Sequence, residues 1–362
     1  MSAEKAFRLL SAIRENIKSG AGPKSLSGMR EENERKATVS EKEQRAKAKA
    51  EVTFADFWEK DYLPTAEATK TARTMGTERG YYEKWIAPVL GATPLQKIDA
   101  EKLEYLSIHL QKEGMSAATI RKVLGIVSQV WNRAAVRDIV SGDCPTRRIK
   151  KPQLDNRRMR FLSREDAAKI LKALALRSMD MHDEALLSLL CGLRAGEIHA
   201  LTWGDIDLKN GTILIRDPKN KRNRHAFITG EIKAMLKRRR RDQATTELIF
   251  PASNGKQRVW VSDTFSRTID DLGLNNTGEF TTDEEGNQVP IRISDARQRV
   301  VFHTLRHTFA SWLVQDGTPL YTVAELMGHS TLEMTRRYSH LSSDSLRSAA
   351  MKLQGALARQ GE

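Results

Sequence analysis

The sequence predicts a mainly α-helical protein with a small β component, built as a helical domain followed by an α+β domain. Three observations carry this expectation. Apolar residues recur at three- and four-residue spacing through much of 52–142, the period of amphipathic helices. Short β-rich runs, GTILIRD and HAFIT, occur only in the second half of the chain. Between the two textures lies the proline-containing basic stretch SGDCPTRRIKKPQLDNRRMRFLS, which has the composition of an interdomain linker. The chain of 362 residues is long enough for two or three separate cores.

Element by element, residues 1–50 open with a helix, AFRLLSAIRENI, broken by the Gly and Pro of SGAGPKSLSG. The following tract, EENERKATVSEKEQRAKAKA, is helix-prone without an apolar stripe and reads as an exposed helix or a linker. No strand pattern precedes residue 50. Four helices are expected in 52–142, from TFADFWEKDYL, TERGYYEKWIAPVL, AEKLEYLSIHLQKEG and SAATIRKVLGIVSQVWNRAAVRD, forming a small bundle. Residues 143–160 are the basic linker. In 161–345, SREDAAKILKAL opens with Ser163 three residues before Asp166, a capping pattern. HDEALLSLLCGLRAGEIHALTW reads as two helices meeting near Gly192, and the cation-rich turn PKNKRNR joins the two β runs into a hairpin. Residues 273–300 are turn-rich, a loop or a second small hairpin. In the tail 346–362, Leu346, Ala350, Leu353 and Leu357 form one narrow apolar stripe on a short helix.

Composition restricts the function. Net charge is +14, which fits a polyanionic partner, nucleic acid ahead of a membrane surface. The excess is +5 over 1–50, zero over 51–142, +5 over 143–160 and +4 over 161–362. A segment crossing a phosphate backbone needs cations of the kind concentrated in the linker. Cys144 and Cys191 lie far apart without a CxxC, so neither a disulfide framework nor a zinc site is expected. No run of eighteen apolar residues and no signal peptide is present, so a cytoplasmic, nucleoid-associated protein with no membrane partner is expected.

The stretch HTLRHTFASWLVQDGTPLYTVAELMGHSTLEMTRRYSH gathers His303, Arg306, His307, His329 and Tyr338 with almost no carboxylate to pair them. Metal-free cleavage of a phosphodiester needs such an inventory. Fixed cations stabilise the five-coordinate phosphorus, arginine best because its planar fork binds phosphate oxygens and stays charged. A nucleophile attacks, and a general acid protonates the departing oxygen.

These residues resemble the tyrosine recombinases of the phage-integrase type, over roughly 52–345. GLRAGEIHALTWGDID is similar to the family's first arginine box, which implies a catalytic Arg194 with Glu197 in support. HTLRH is similar to the second box, implying His303 and Arg306, with His307 following. LMGHSTLEMTRRYSH is similar to the closing segment, implying His329 and, nine residues on, the nucleophile Tyr338. The hairpin lysine of the family matches Lys219 best, with Lys221 a close rival. The resemblance implies a helical SAM-like core-binding domain and an α+β catalytic domain. It also implies a site-specific recombinase working through a 3′-phosphotyrosyl link and a Holliday junction, with no cofactor and no metal. Partners implied are double-stranded DNA attachment sites and a homotetramer on DNA, with a DNA-bending protein and an excision factor as candidate accessories. A helix after the tyrosine docks in a neighbouring protomer in relatives, against which the tail stripe could equally pack on its own domain.

Each residue also has a plainer reading. Arg194–Glu197 is an ordinary helical pair in isolation, His307 alone a core histidine, and KRRRR at Lys237–Arg241 a solvated helix end rather than a phosphate contact. His303 and His307 share the spacing of a zinc helix motif, but Thr304 stands where that motif has Glu. For DNA contact the candidates are Lys70, Arg73, Arg121, Lys122 and Arg133 in the first domain. In the linker they are Arg147, Arg148, Lys150, Lys151, Arg157, Arg158 and Arg160. A type IB topoisomerase or a Xer-type resolvase would use the same chemistry, and an inactive DNA-binding regulator would keep only the binding. The N-terminal extension and the 273–300 insertion exceed a minimal resolvase and point to integration or excision of a mobile element.

Overall fold

A computed structural model describes residues 3–153, 160–216, 223–283 and 285–342. The chain divides into two units, 1–156 and 157–362.

In the first unit, α1 (Ala3–Ser19) and α2 (Leu26–Glu51) precede the bundle. Ser25 caps α2 by accepting the Gly28 amide at 3.1 Å. No residue of α2 is buried. Lacking an apolar stripe, it carries i,i+4 pairs instead, Glu32–Lys36 at 2.7 Å and Glu41–Arg45 at 2.6 Å.

The bundle proper differs from the expected four helices in one respect. Its first two members are interrupted by π-helical turns. Thus α3 (Phe54–Phe57) passes through Trp58–Tyr62 into α4 (Leu63–Thr69), and α5 (Ala72–Tyr81) passes through Tyr82–Ile86 into α6 (Ala87–Leu90). Pro64 and Pro88 follow these widened turns, where a missing N–H and the ring are accommodated without breaking the helix. The turns bring Trp58 and Tyr82 face to face, centroids 4.1 Å apart. Helices α7 (Ala100–Lys112) and α8 (Ala117–Val136) close the core with Leu103, Leu106, Leu110, Val123, Val127 and Val130.

The expected linker begins late. Cys144, Pro145, Thr146 and Ile149 are buried, Cys144 and Ile149 within this same core. Residues 143–149 therefore belong to the first unit, because apolar groups interleaved with the cations find a core to fill. Arg147, Arg148, Lys150 and Lys151 stay exposed.

In the second unit, α9 (Arg164–Arg177) is capped by Ser163, whose hydroxyl accepts the Asp166 amide at 3.0 Å. It packs on α10 (Met179–Cys191), and α11 (Ala195–Ala200) follows. An antiparallel sheet of β1 (Ile206–Asp207), β2 (Thr212–Ile215) and β3 (Arg224–Phe227) has order β1-β2-β3, with Ile215 opposite Arg224. Then come α12 (Gly230–Arg239), α13 (Asp263–Asp271) and the hairpin of β4 (Asn276–Thr282) and β5 (Gln288–Arg292). The last described elements are α14 (Phe302–Gln315), α15 (Leu320–Met327), α16 (Glu333–Arg336) and a 3₁₀ turn at Ser339–Ser342. Ile170, Leu187, Ile198, Ile213, Leu236, Phe250 and Leu305 are fully buried in one core. Each such side chain contributes about 1.5–3 kcal/mol.

The basic run at the end of α12 is only in part the solvated face expected from sequence: Lys237, Arg238 and Arg241 are exposed, while Arg239 and Arg240 are drawn inward. Arg239 pairs with Asp180 at 2.8 Å and Asp183 at 2.9 Å, Arg238 also pairs with Asp183, and Arg240 lies over the Trp203 ring. Asp183 is fully buried and needs such partners. No helix among the described residues is long and apolar enough to cross a membrane.

Candidate functional site

The site is built where three helix ends and one strand meet. Helix α10 ends at Gly192, φ +65°, and α15 ends at Gly328, φ +60°. Both are left-handed caps that favour glycine. A Cβ on Gly192 would lie 2.5 Å from the Phe309 ring, and one on Gly328 would lie 2.7 Å from the Arg224 side chain. The turns expose two carbonyls, Gly192 O and Met327 O, and both accept from the guanidinium of Arg306. Arg306 sits on α14 and is 1% exposed.

Around Arg306 the guanidinium groups share one carboxylate. Glu197, on the first turn of α11, receives the Arg194 backbone amide at 2.8 Å and Arg194 Nη1 at 2.6 Å. Arg224 grips it with both arms, Nη1 to Oε1 at 3.0 Å and Nη2 to Oε2 at 2.7 Å. Arg306 Nη1 stands 3.7 Å from Oε2. Burial alone would raise the pKa of Glu197. The hydrogen bond and charge of Arg224, the Arg194 amide and the charge of Arg306 prevail and bring it to about 2. Burial and then repulsion from Arg194 lower Arg306 to about 9, so it stays charged at neutral pH.

His329 follows the Gly328 cap, and its Nδ1 pairs with the buried Thr335 hydroxyl at 2.7 Å. Burial, then the charges of Arg306, Arg194, Arg337 and Arg224, lower its pKa to about 3. It is a neutral imidazole at pH 7. Tyr338 lies just beyond α16, 5% exposed, packed with Ala310, Val314, Val323 and Met327. Burial raises its pKa to about 12 against the lowering effect of Arg337 and Arg306. Its hydroxyl meets His307 Nδ1 at 2.5 Å. His303, one turn earlier on α14, is exposed, with its ring edge-on to His307 at 4.7 Å.

Of the residues expected from sequence, Arg194, Glu197, Arg306 and His329 come together here, and Tyr338 feels the charge of Arg306 while its hydroxyl meets His307. Lys219, Lys221, Arg157, Arg158 and the tail 346–362 lie outside the described residues. In the first unit Arg73, Arg121 and Lys122 are exposed. Lys70 corrects its expectation as a DNA-facing cation. Its ammonium is held by Glu78 at 2.7 Å, the Tyr62 hydroxyl at 2.8 Å and Gln129 at 2.7 Å, and it is half-buried as an internal fastening. Arg133 is likewise tied to Asp61 at 2.6 Å.

Sequence reasoning missed Arg224. The signal was present in strand alternation: Arg224 and Ala226 point inward on β3 while His225 and Phe227 point outward. An arginine on the inward face of a strand has to meet a carboxylate. The plainer reading of His307 as a satisfied core histidine agrees with its burial and with its hydrogen bond, whose partner is the Tyr338 hydroxyl.

A family model described as the phage integrase family matches residues 160–344, just over half of the chain. The tyrosine recombinase XerC of Pelotomaculum thermopropionicum is 27% identical over 261 residues, spanning 70% of this chain and 81% of the relative. The ICEBs1 integrase of Bacillus subtilis is 23% identical over 332 residues, 87% of this chain and 86% of the relative. Among solved structures, the Tn1549 transposon integrase in complex with transposon right end DNA aligns with TM-score 0.66 at 18% identity, over 84% of this chain and 100% of that one. A lambda integrase dimer bound to a core site aligns with TM-score 0.62 at 16% identity, over 95% and 89%. At such identities the structural likeness establishes the fold. The chain belongs to the phage integrase family and is a site-specific recombinase of the tyrosine type.

Proposed function

We propose that the chain cuts and rejoins duplex DNA at specific attachment sites through a covalent link on Tyr338, serving integration and excision of a mobile element. One observation carries the reading. Three guanidinium groups, those of Arg194, Arg224 and Arg306, converge on the single carboxylate of Glu197, beside a neutral His329. The cluster keeps an excess of positive charge in a buried place, and only an anion relieves it. A phosphate about 4 Å from a guanidinium gains roughly 4 kcal/mol at an effective dielectric near 20.

In this reading Tyr338 Oη attacks the scissile phosphorus and the bond from phosphorus to the 5′ oxygen breaks, leaving a 3′-phosphotyrosyl link and a free 5′ hydroxyl. Arg194, Arg306 and His329 stabilise the charge of the five-coordinate phosphorane. Glu197 and Arg224 hold the two arginines in place. Lys219 protonates the leaving oxygen, and His303 assists from the exposed side. The phosphotyrosyl bond conserves the energy of the cleaved bond, so the 5′ hydroxyl of a partner strand attacks it without another energy source. A tetramer on DNA follows from the need to exchange four strands, and it agrees with the lambda integrase tetramer bound to a Holliday junction. The ICEBs1 and Tn1549 integrases support the mobile-element role.

The test is a nicked suicide substrate carrying the attachment site. Wild-type protein becomes covalently attached to it, whereas Tyr338→Phe binds the site and forms no adduct. Persistent attachment by the phenylalanine variant refutes the assignment. Two-site recombination run beside plasmid relaxation separates strand exchange from simple topoisomerase action.

A further inference from the structure

Helix α14 carries two histidines on one face, four residues apart, and the fold treats them oppositely. His303 is exposed, while His307 is 6% exposed and has its Nδ1 2.5 Å from the Tyr338 hydroxyl. Among the described residues, His307 is the hydrogen-bond partner of the tyrosine oxygen. The charged groups acting on Tyr338 are Arg337 from its own segment and Arg306 from α14.

The tyrosine enters the reaction in an unreactive state. With its pKa pushed up to about 12, only about one molecule in 10⁵ is a phenolate at pH 7. The proton must therefore leave Oη as the oxygen attacks, to a base already in hydrogen-bond reach. His329 is poorly suited to this task. Its Nδ1 is paired with Thr335, and its pKa near 3 makes it a weak acceptor. His303 faces outward. His307 touches the hydroxyl.

We propose that His307 is a catalytic residue, the general base that takes the Tyr338 proton onto Nδ1 during cleavage and returns it during rejoining. The proposal rests on Tyr338 being the nucleophile. In the forward step the Oη–H bond breaks, the proton passes to Nδ1, the Oη–P bond forms and the bond to the 5′ oxygen breaks, that oxygen taking its proton from the general acid. In the reverse step the 5′ hydroxyl gives its proton back to the general acid as its oxygen attacks phosphorus, Tyr338 departs as the leaving group, and the His307 imidazolium returns its proton to Oη. The imidazolium lies against the edge-on ring of His303, which faces outward and connects the buried base to the exposed side.

The experiment measures single-turnover adduct formation on the nicked suicide substrate for wild type, His307→Ala, His307→Gln, His303→Ala and Tyr338→Phe, with substrate binding measured in parallel. Glutamine keeps a hydrogen bond to Oη but accepts no proton. Both His307 variants should bind substrate as wild type does and lose about 10²-fold or more in rate at pH 7. Their rates should climb about tenfold per pH unit as hydroxide replaces the base, and free imidazole should restore His307→Ala by entering the vacated space. Should His307→Ala fold poorly, the pH profile of His307→Gln decides. Wild-type rates in His307→Gln, a faster reaction in either variant, or a loss that neither pH nor imidazole relieves would each overturn the proposal. The second of these outcomes would make the hydrogen bond a latch that restrains the tyrosine. An adduct in Tyr338→Phe strikes at the nucleophile assignment instead, so the two failures are distinguishable.

Discussion

Arg224 holds Glu197 through two parallel hydrogen bonds, 3.0 and 2.7 Å, although 27 residues separate them in the chain. The strand that follows the lysine hairpin is thereby tied to the helix that bears the first arginine. Arg224 Nε reaches further, to Leu326 O at 3.2 Å in α15, next to the cap that carries His329. One side chain links three parts of the site.

Removing the shared carboxylate leaves three cations facing one another with little water. Glu197→Ala is expected to destabilise the protein by about 3–5 kcal/mol, measured by urea unfolding. Sulfate in the buffer should restore part of the loss by binding only the folded state. An unchanged midpoint would mean that the guanidinium groups do not depend on Glu197.

The depressed pKa values of His329 and Glu197 give stability a defined pH dependence. Below about 6.5 the unfolded chain binds a proton on His329 that the folded chain does not accept until about 3. Below 4.5 the same holds for Glu197, down to about 2. Since the unfolded state binds more protons over both ranges, stability is fully present above 6.5 and falls with falling pH. In His329→Gln the decline between 6.5 and 4.5 should flatten. A profile that coincides with wild type would contradict a neutral folded-state imidazole.

Gly192→Ala forces a side chain into a left-handed backbone and against Phe309. The expected cost is about 2–4 kcal/mol. Because the Gly192 carbonyl accepts from Arg306, adduct formation should fall more than the remaining folded fraction explains. Comparing the rate per folded molecule with thermal unfolding checks this.

The general acid has its own test. A substrate whose leaving oxygen is replaced by sulfur needs no protonation, so it should restore cleavage by Lys219→Ala. Rescue of Lys221→Ala in its place would move the role to Lys221.

The exposed cations of the basic segment and the enclosed Lys70 should behave differently. Replacing Arg148, Lys150 and Lys151 together by Ala is expected to lower the slope of log binding constant against log salt by about 2–3. Lys70→Ala should leave that slope unchanged and instead weaken the first unit, where Glu78 would keep the Tyr62 hydroxyl but lose its cation.

The helical texture of 52–142, the hairpin in the second half, and the identity and order of Arg194, His303, Arg306, His329 and Tyr338 are legible from the residues in one dimension. Those features are local or depend on residue type, and helical period, caps and fixed motif spacing are written in consecutive positions. Which cations are engaged within the protein emerges only on folding. Lys70 and Arg238 look like solvent-facing charges in one dimension, yet they pair with Glu78 and Asp183 contributed by other helices. The same holds for the roles of Arg224 and His307. A residue's charge is legible from its letter, but what that charge meets depends on which distant segments the core draws together, and buried charges bind the partners that the fold supplies.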